Sequence, residues 1–535
     1  MSPIIVILVL LILFYGTRAI RRTVFSALDN VPGPPRKSII TGHLTQLHNP
    51  EGYPGAFQQE LEQKYGQVVK LDGLFGDRQL FVFDPAALES ILVKDRDTYG
   101  LPSWNTSLNT LILGKGILST NGDDHRRYRK IMVPAFSTAN LRGMIPLFYE
   151  VAQRTRDGLI SPHVISTRQK VDMNAILCRT SLELIGQTGI GYSFDPMLPE
   201  QEHINHYAQA LRRLMPAAFK LQLGFPFLPV LIKLFPTSFL QLMCNLIPLP
   251  ALHNLRKVVD FLDATAAELV KERKAEMERG AQDLAEDRSD IMSILVKANT
   301  NAERGMHLTD QELVACTSMI IFAATDTTSS SMNRMFHVLA EHPEVQEKLR
   351  AEILATSELL DHDSLVALPY LDGVVREILR LYPPIAPVDY RQAAVDSVLP
   401  LSTPLTGVDG KVLDSILVPK GTTVYVGISA ANHSTQIWGE DALDFKPERW
   451  TNGKAAGVTT KLCGVYGNTM TFIGGGRSCI GFKFAQLEMK VVACVLLRAF
   501  RFSATGIHVQ WRNTGIMFTP HVDNRSELPV LVERL

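Results

Sequence analysis

Cys479 sits in the run Phe472-Ile-Gly-Gly-Gly-Arg-Ser-Cys-Ile-Gly481, late in a chain of 535 residues. Glycines at 474, 475, 476 and 481 let backbone rather than side chains approach the sulfur, and glycine also tolerates φ > 0. Arg477 puts a fixed positive charge two residues away. The stretch FKFAQLEMKVVACVLLRAF that follows reads as an apolar helix. Cys479 is therefore expected at a helix N-terminus, where free N–H groups and the positive dipole end favour a thiolate. A sheltered anionic sulfur is the donor a haem iron takes when the ligand must push electron density toward bound oxygen. A buried structural cysteine in a glycine turn is the plainer alternative.

Three other groups carry chemistry. In Ala323-Ala-Thr-Asp-Thr-Thr328 an acid and an alcohol, Asp326 and Thr327, stand side by side in an otherwise apolar helical run. Such groups are costly to bury unless used; hydroxyls bonding back to their own helix are the alternative. Glu377 and Arg380, three apart in LDGVVREILRLYPP, share a helix face, and Arg449 follows in FKPERW. Asp124-His-Arg-Arg-Tyr-Arg-Lys130 is the densest basic cluster, with His125 and Arg129 on one face. Burying the two propionates of a haem needs fixed cationic donors, and arginine suits a carboxylate; Arg477 and Arg391 are further candidates. His203 and His206 have no third ligand beside them and read as a solvated helix face.

The spacing Phe472, Gly475, Arg477, Cys479, Gly481 resembles the haem-binding signature of the cytochrome P450 superfamily at each fixed position. The resemblance covers residues 31 to about 530, and the C-terminal third looks like fungal members. It implies haem b held by Cys479 as axial iron ligand, with Phe472, Gly475 and Gly481 shaping the loop. His125, Arg129, Arg391 and Arg477 would meet the propionates. Asp326 and Thr327 would deliver protons to iron-bound dioxygen, and Glu377, Arg380 and Arg449 would lock the segment leading to the cysteine loop. The implied reaction is monooxygenation of a lipophilic substrate: terpenoids and other secondary metabolites by analogy with fungal members, with fatty acids and aromatic xenobiotics open beside them. Electrons would come from NADPH through a separate reductase, with cytochrome b5 as a second donor, because the chain has no flavin or nicotinamide fingerprint. Arg126, Arg127, Lys130 and Lys483 are expected to face solvent and receive an acidic donor protein. Two positions depart from the family's habit: Ala324 replaces a usual glycine, and His125 a common tryptophan. A haem-thiolate isomerase or dehydratase without electron supply, and a non-catalytic haem sensor, are the rival readings.

The elements that must position these groups are legible too. The expected fold is mainly α with small β-sheets, the haem-thiolate fold, as one catalytic domain over 36–535. Residues 55–65 read as a short helix, VVKLDGLFGDRQLFVFD as two strands about a turn, and Asp84-Pro85 as a helix start. Strands are expected near 411–427 on both sides of Pro419-Lys-Gly421. Thr309-Asp-Gln-Glu312 is a capping box opening a long helix that Pro343 ends. The proline-rich apolar stretch 224–250 is either a lid that dips into a bilayer or a buried connector.

Composition bounds the partners. With 54 basic and 54 acidic side chains the formal net charge is zero, so no basic field invites nucleic acid. Six scattered cysteines with no CxxC pair form neither a disulfide framework nor a zinc site. Ile4–Tyr15 is an unbroken apolar run followed by Arg18, Arg21 and Arg22. It reads as a signal anchor over 1–20, before a basic, proline-rich hinge over 21–35. This places the protein in the endoplasmic reticulum membrane, single-pass, with the catalytic domain cytosolic. The sequons at Asn105, Asn432 and Asn524 would then stay unmodified.

Overall fold

The computed structural model describes residues 26–49, 56–164, 168–198, 206–279, 290–300, 307–385, 388–451, 458, 460–514 and 516–535. The expected anchor over 1–20, the start of the hinge and His203 lie outside the described residues. Backbone contacts divide the chain into two units. The first takes its described residues from 1–102, 386–444 and 457–479, the second from 103–385, 445–456 and 480–535.

The first unit is built on strands. Val68–Asp72 (β1) and Arg78–Val82 (β2) form the expected antiparallel pair, with Val68 opposite Val82. The others are Tyr99–Gly100 (β3), Val388–Ala393 (β4), Ser397–Thr406 (β5), Val412–Val418 (β6), Thr423–Gly427 (β7), Gly464–Tyr466 (β8) and Thr469–Gly474 (β9). The main sheet runs β1-β2-β7-β4-β3. The two strands flanking Pro419-Lys-Gly421 are present but do not pair with each other. β6 joins β5 in a hairpin, while β7 lies parallel to β2 and antiparallel to β4. The reason is burial: every residue of β7 is buried, as a central strand requires, whereas β6 is largely exposed. The Val31–Pro35 end of the hinge packs along β1. The Lys70 N–H donates to the Pro32 carbonyl at 2.9 Å, and a Cβ on Gly33 would meet the Lys70 oxygen at 2.0 Å. Asp84 caps the helix at Pro85–Glu89 by accepting from the Ala87 N–H.

The second unit is helical. The helices that matter below are Gly122–Met132 (α1), Met173–Ile185 (α2), His206–Phe219 (α3), Leu228–Leu234 (α4), Thr237–Leu246 (α5), Asp310–Glu341 (α6), Pro369–Leu381 (α7) and Phe482–Ala499 (α8). α6 has 32 residues, or about 48 Å at 1.5 Å per residue. Its capping box forms in full, Thr309 accepting from the Glu312 N–H and Glu312 from the Thr309 N–H. Pro343 opens the next helix, Pro343–Leu354. Polar links fix α6 among its neighbours. Ser181 of α2 donates to the Thr325 carbonyl at 2.7 Å, Asn333 to Asn174 at 3.0 Å, and Ser330 to the Phe518 carbonyl at 2.7 Å. Small sheets at 169–172, 500–504 and 529–534, and at 510–513 and 518–521, border the helices.

The 224–250 stretch breaks into a short 3-10 segment, α4 and α5. It is not a buried connector: Phe227, Leu231, Leu234, Phe239, Leu242 and Leu246 are all exposed. Among the described residues no single helix is long and apolar enough to cross a membrane. One pair, His206–Phe219 with Gln222–Leu234, passes that test together, bent by 71°.

Candidate functional site

In the first unit, β9 carries the chain into the cysteine loop. The Cys479 N–H donates to the Phe472 carbonyl at 2.9 Å and the Ser478 N–H to the Gly475 carbonyl at 3.1 Å, so 472–479 closes on itself. The glycines have separate reasons. Gly475 sits at φ +69, and a Cβ there would meet the Leu92 oxygen at 1.9 Å. Gly474 has no room, because its Cβ would meet the Cys463 oxygen at 2.1 Å. Gly481 is different: its nearest neighbour to an added Cβ would be a Phe136 ring carbon at 3.7 Å, an ordinary contact. Ile473, β-branched, stands at φ +55, a conformation costing about 1–3 kcal/mol. Buried Asn432 holds this strand, accepting from the Met470 N–H at 2.7 Å and donating to Thr471 at 2.9 Å. Full burial also removes Asn432 as a glycosylation site.

Cys479 itself is exposed, whereas Cys178, Cys316 and Cys494 are buried and Cys244 and Cys463 half-buried. The helix expected to start at Cys479 starts at Phe482, with Gly481 as its N-cap. The chain therefore makes one more turn between sulfur and helix than the apolar pattern implied. Phe472 is buried and Arg477 half-buried. Arg391, on β4, is 2 % exposed and pairs with Asp389 at 2.6 Å.

In the second unit, α1 buries His125 and half-buries Arg129 one turn on. Arg127 corrects the expectation of a solvent-facing charge: it turns inward to the Glu312 carboxylate, which Tyr128 also engages, and donates to the His307 carbonyl at 3.0 Å. The reason is the capping box, which points the Glu312 carboxylate back toward α1. Arg126, Lys130 and Lys483 are exposed.

Asp326 and Thr327 are half-buried on α6, beside an exposed Ala323 in a helix otherwise packed on most sides. Burial pushes the Asp326 carboxyl up to about 6, with the Arg212 guanidinium of α3 pulling the other way. Thr327 donates to the Ala323 carbonyl at 2.6 Å, the local bonding weighed above. α6 runs unbroken through Ala324, as a methyl in place of glycine permits.

Glu377, Arg380 and Arg449 do come together, all at 4 % exposure or less. Arg380 forks onto both Glu377 oxygens at 2.9 and 2.8 Å, and Arg449 approaches at 3.4 Å. Two donors were missed. The Trp450 indole donates to Glu377 at 2.8 Å and the Lys446 N–H at 3.2 Å. Trp450 stood next to Arg449 in the sequence; Arg212, from a distant helix, left no signal at all.

These residues fit a haem. An accessible sulfur rides on a loop whose positions 474 and 475 admit no side chain, and the loop's own Arg477 is half-buried two residues away. No group of three or more metal-binding side chains occurs elsewhere among the described residues. The sequence matches the cytochrome P450 family over residues 32–521. It is 42 % identical over 524 residues to cytochrome P450 monooxygenase 91 of Postia placenta, 96 % of each chain being covered. It is 38 % identical over 524 residues to a ganoderic acid synthetase of Ganoderma lucidum, covering 96 % of this chain and 94 % of that one. Motif, loop and near full-length relatives agree: the chain belongs to the cytochrome P450 family and is a cytochrome P450 monooxygenase.

Proposed function

We propose that this enzyme inserts one atom of dioxygen into a lipophilic secondary metabolite, the terpenoid class first, while anchored to the endoplasmic reticulum membrane with its catalytic body cytosolic. The observation that carries the reading is Cys479, the exposed cysteine on a glycine-built loop. Haem b, bound through that sulfur, supplies dioxygen reduction and C–H oxidation. The chain's own residues do the rest. His125, Arg129, Arg391 and Arg477 neutralise the propionates. Asp326, whose carboxyl burial pushes up to about 6, passes a proton toward the Thr327 hydroxyl. Glu377, Arg380 and Arg449 keep the approach to the loop rigid. The exposed apolar face of α4 and α5 supports contact with lipid, from which such a substrate would enter. Electrons come from NADPH through a partner reductase docking on exposed Arg126, Lys130 and Lys483, with cytochrome b5 as a second donor. The similarity to a ganoderic acid synthetase supports the substrate class.

The test reconstitutes the full-length protein in lipid discs with an NADPH reductase and candidate terpenoids. Product that requires both NADPH and dioxygen is expected. Product without NADPH would favour the isomerase, and haem binding without any product the sensor. Cys479→Ala should lose the reduced carbon-monoxide absorption band characteristic of thiolate ligation; its survival would refute Cys479 as ligand.

A further inference from the structure

In the second unit, helix Thr138–Arg154 and the segment Leu359–Asp363 form the walls of a cavity of about 420 Å³. That lies within the range of small-molecule sites. None of the residues assigned above to haem, proton delivery or electron supply lines it. Its floor is apolar. Ile145, Tyr149 and Leu360 are buried, and the Leu360 N–H donates to the Tyr149 hydroxyl at 3.2 Å, joining the two walls. Its rim is charged: three carboxylates, Glu150, Asp361 and Asp363, stand there against one guanidinium, Arg142. Arg142 is already committed, donating to both Asp363 oxygens at 2.8 and 2.9 Å. The His362 Nδ1 lies 2.8 Å from the same carboxylate. Two anions remain. Asp361 caps helix His362–Val366 by accepting from the Ser364 N–H at 2.8 Å, which holds its carboxyl below the usual carboxylate range. Glu150 stands 3.9 Å from Arg154, whose closer partner is Glu183 at 3.1 Å. The backbone adds an acceptor. Pro146, inside its helix, has no N–H to give the Arg142 carbonyl one turn before it, and both residues line the cavity.

An apolar floor beneath two uncommitted carboxylates suits a molecule that is hydrocarbon at one end and cationic at the other. A bare metal ion is not that molecule: among the described residues no group of three or more His, Cys, Asp or Glu side chains could hold one. We propose that this cavity binds small apolar amines in their ammonium form. The hydrocarbon body lies on Ile145, Tyr149 and Leu360. The ammonium sits between Glu150 and Asp361, with the Arg142 carbonyl open to one of its N–H groups. Burial of the body supplies most of the affinity, and the carboxylates select the charge, because exposed ion pairs add little. The site also has a route to α8. Phe148, the neighbour of Tyr149, meets Phe484 edge-on with ring centroids 5.2 Å apart, and α8 begins three residues after Cys479. An occupied cavity therefore braces the packing against the first turn of α8. The proposal stands independently of the substrate reading above.

The probe is 2-phenylethylammonium, titrated calorimetrically into the full-length, haem-loaded protein. The iron is first saturated with an azole, which removes binding of the amine nitrogen to iron. A single site per chain is expected, with a dissociation constant on the order of 0.1–1 mM. Neutral 2-phenylethanol, of the same shape, should bind at least about threefold more weakly. Glu150→Gln and Asp361→Asn should each lower the ammonium affinity about two- to fivefold, and asparagine keeps the helix cap, so the second change removes charge alone. Leu359 is 58 % exposed at the rim, so Leu359→Trp plugs the mouth without entering the core. It should abolish binding and leave the melting temperature of the free protein unchanged. The probe should raise the melting temperature of the wild type but not of Leu359→Trp. The proposal is overturned by an absence of binding, by equal affinity for the alcohol, by wild-type affinity in both charge variants, or by full binding to Leu359→Trp.

Discussion

At the scale of single residues, the proposed proton relay rests on a carboxyl that burial pushes up to about 6. Asp326 titrates at about 6 rather than 3.8 because burial disfavours its charged form more than Arg212 favours it. The sign follows directly. Below pH 6 the acid is mostly protonated and ready to donate; as pH rises through 6 it becomes an anion that must be recharged before each turnover. Product per NADPH should therefore fall with rising pH in a step near 6, and Asp326→Asn should abolish the step. A pH-independent ratio in the wild type would remove Asp326 from the relay. Stability shares the sign. The folded chain holds this proton between 3.8 and 6 where the unfolded chain has lost it, so the contribution is present at low pH and lost as pH rises through 6.

At the scale of elements, two local constructions carry predictions of their own. On α7, Glu377 is a buried anion satisfied by two guanidinium groups, an indole and a backbone N–H. Removing it takes a shared carboxylate away from two buried guanidinium groups, which costs about 3–5 kcal/mol. Glu377→Gln should show that loss in denaturant unfolding, and Arg380→Lys a smaller one, because a point charge cannot fork onto both oxygens. In the cysteine loop, Gly475→Ala meets both a left-handed backbone and the Leu92 oxygen. A cost of at least about 2 kcal/mol should appear as a lowered melting temperature and poor haem retention. Gly481→Ala should leave the melting temperature nearly unchanged, since among protein atoms its Cβ meets only the Phe136 ring at 3.7 Å. Equal effects at the two glycines would contradict the assigned roles.

For the whole molecule, the exposed apolar face on α4 and α5 is what supports the proposed contact with lipid. Leu231, Leu234, Leu242 and Leu246 are 39 to 64 % exposed, and each would gain on the order of 1–3 kcal/mol by full burial in an apolar phase. Replacing all four by serine should weaken binding to neutral phospholipid vesicles by at least about tenfold in a protein lacking residues 1–20, with melting temperature unchanged. Undiminished vesicle binding would assign that face another role.

What the sequence alone determined was every feature governed by neighbours along the chain. The Thr309–Glu312 capping box, the β1–β2 pair, the glycine loop around Cys479 and the i,i+3 pairing of Glu377 with Arg380 are short-range consequences of residue type and spacing. Tertiary structure decided whatever depends on distant chain meeting. It separated β6 from β7 by burying only one of them, turned Arg127 from solvent onto Glu312, and brought Trp450 to Glu377. It also set Arg212 beside Asp326. Pattern reports which faces of an element are apolar, but a group's partners and its proton affinity are set by the dielectric and the charges that other segments bring to it.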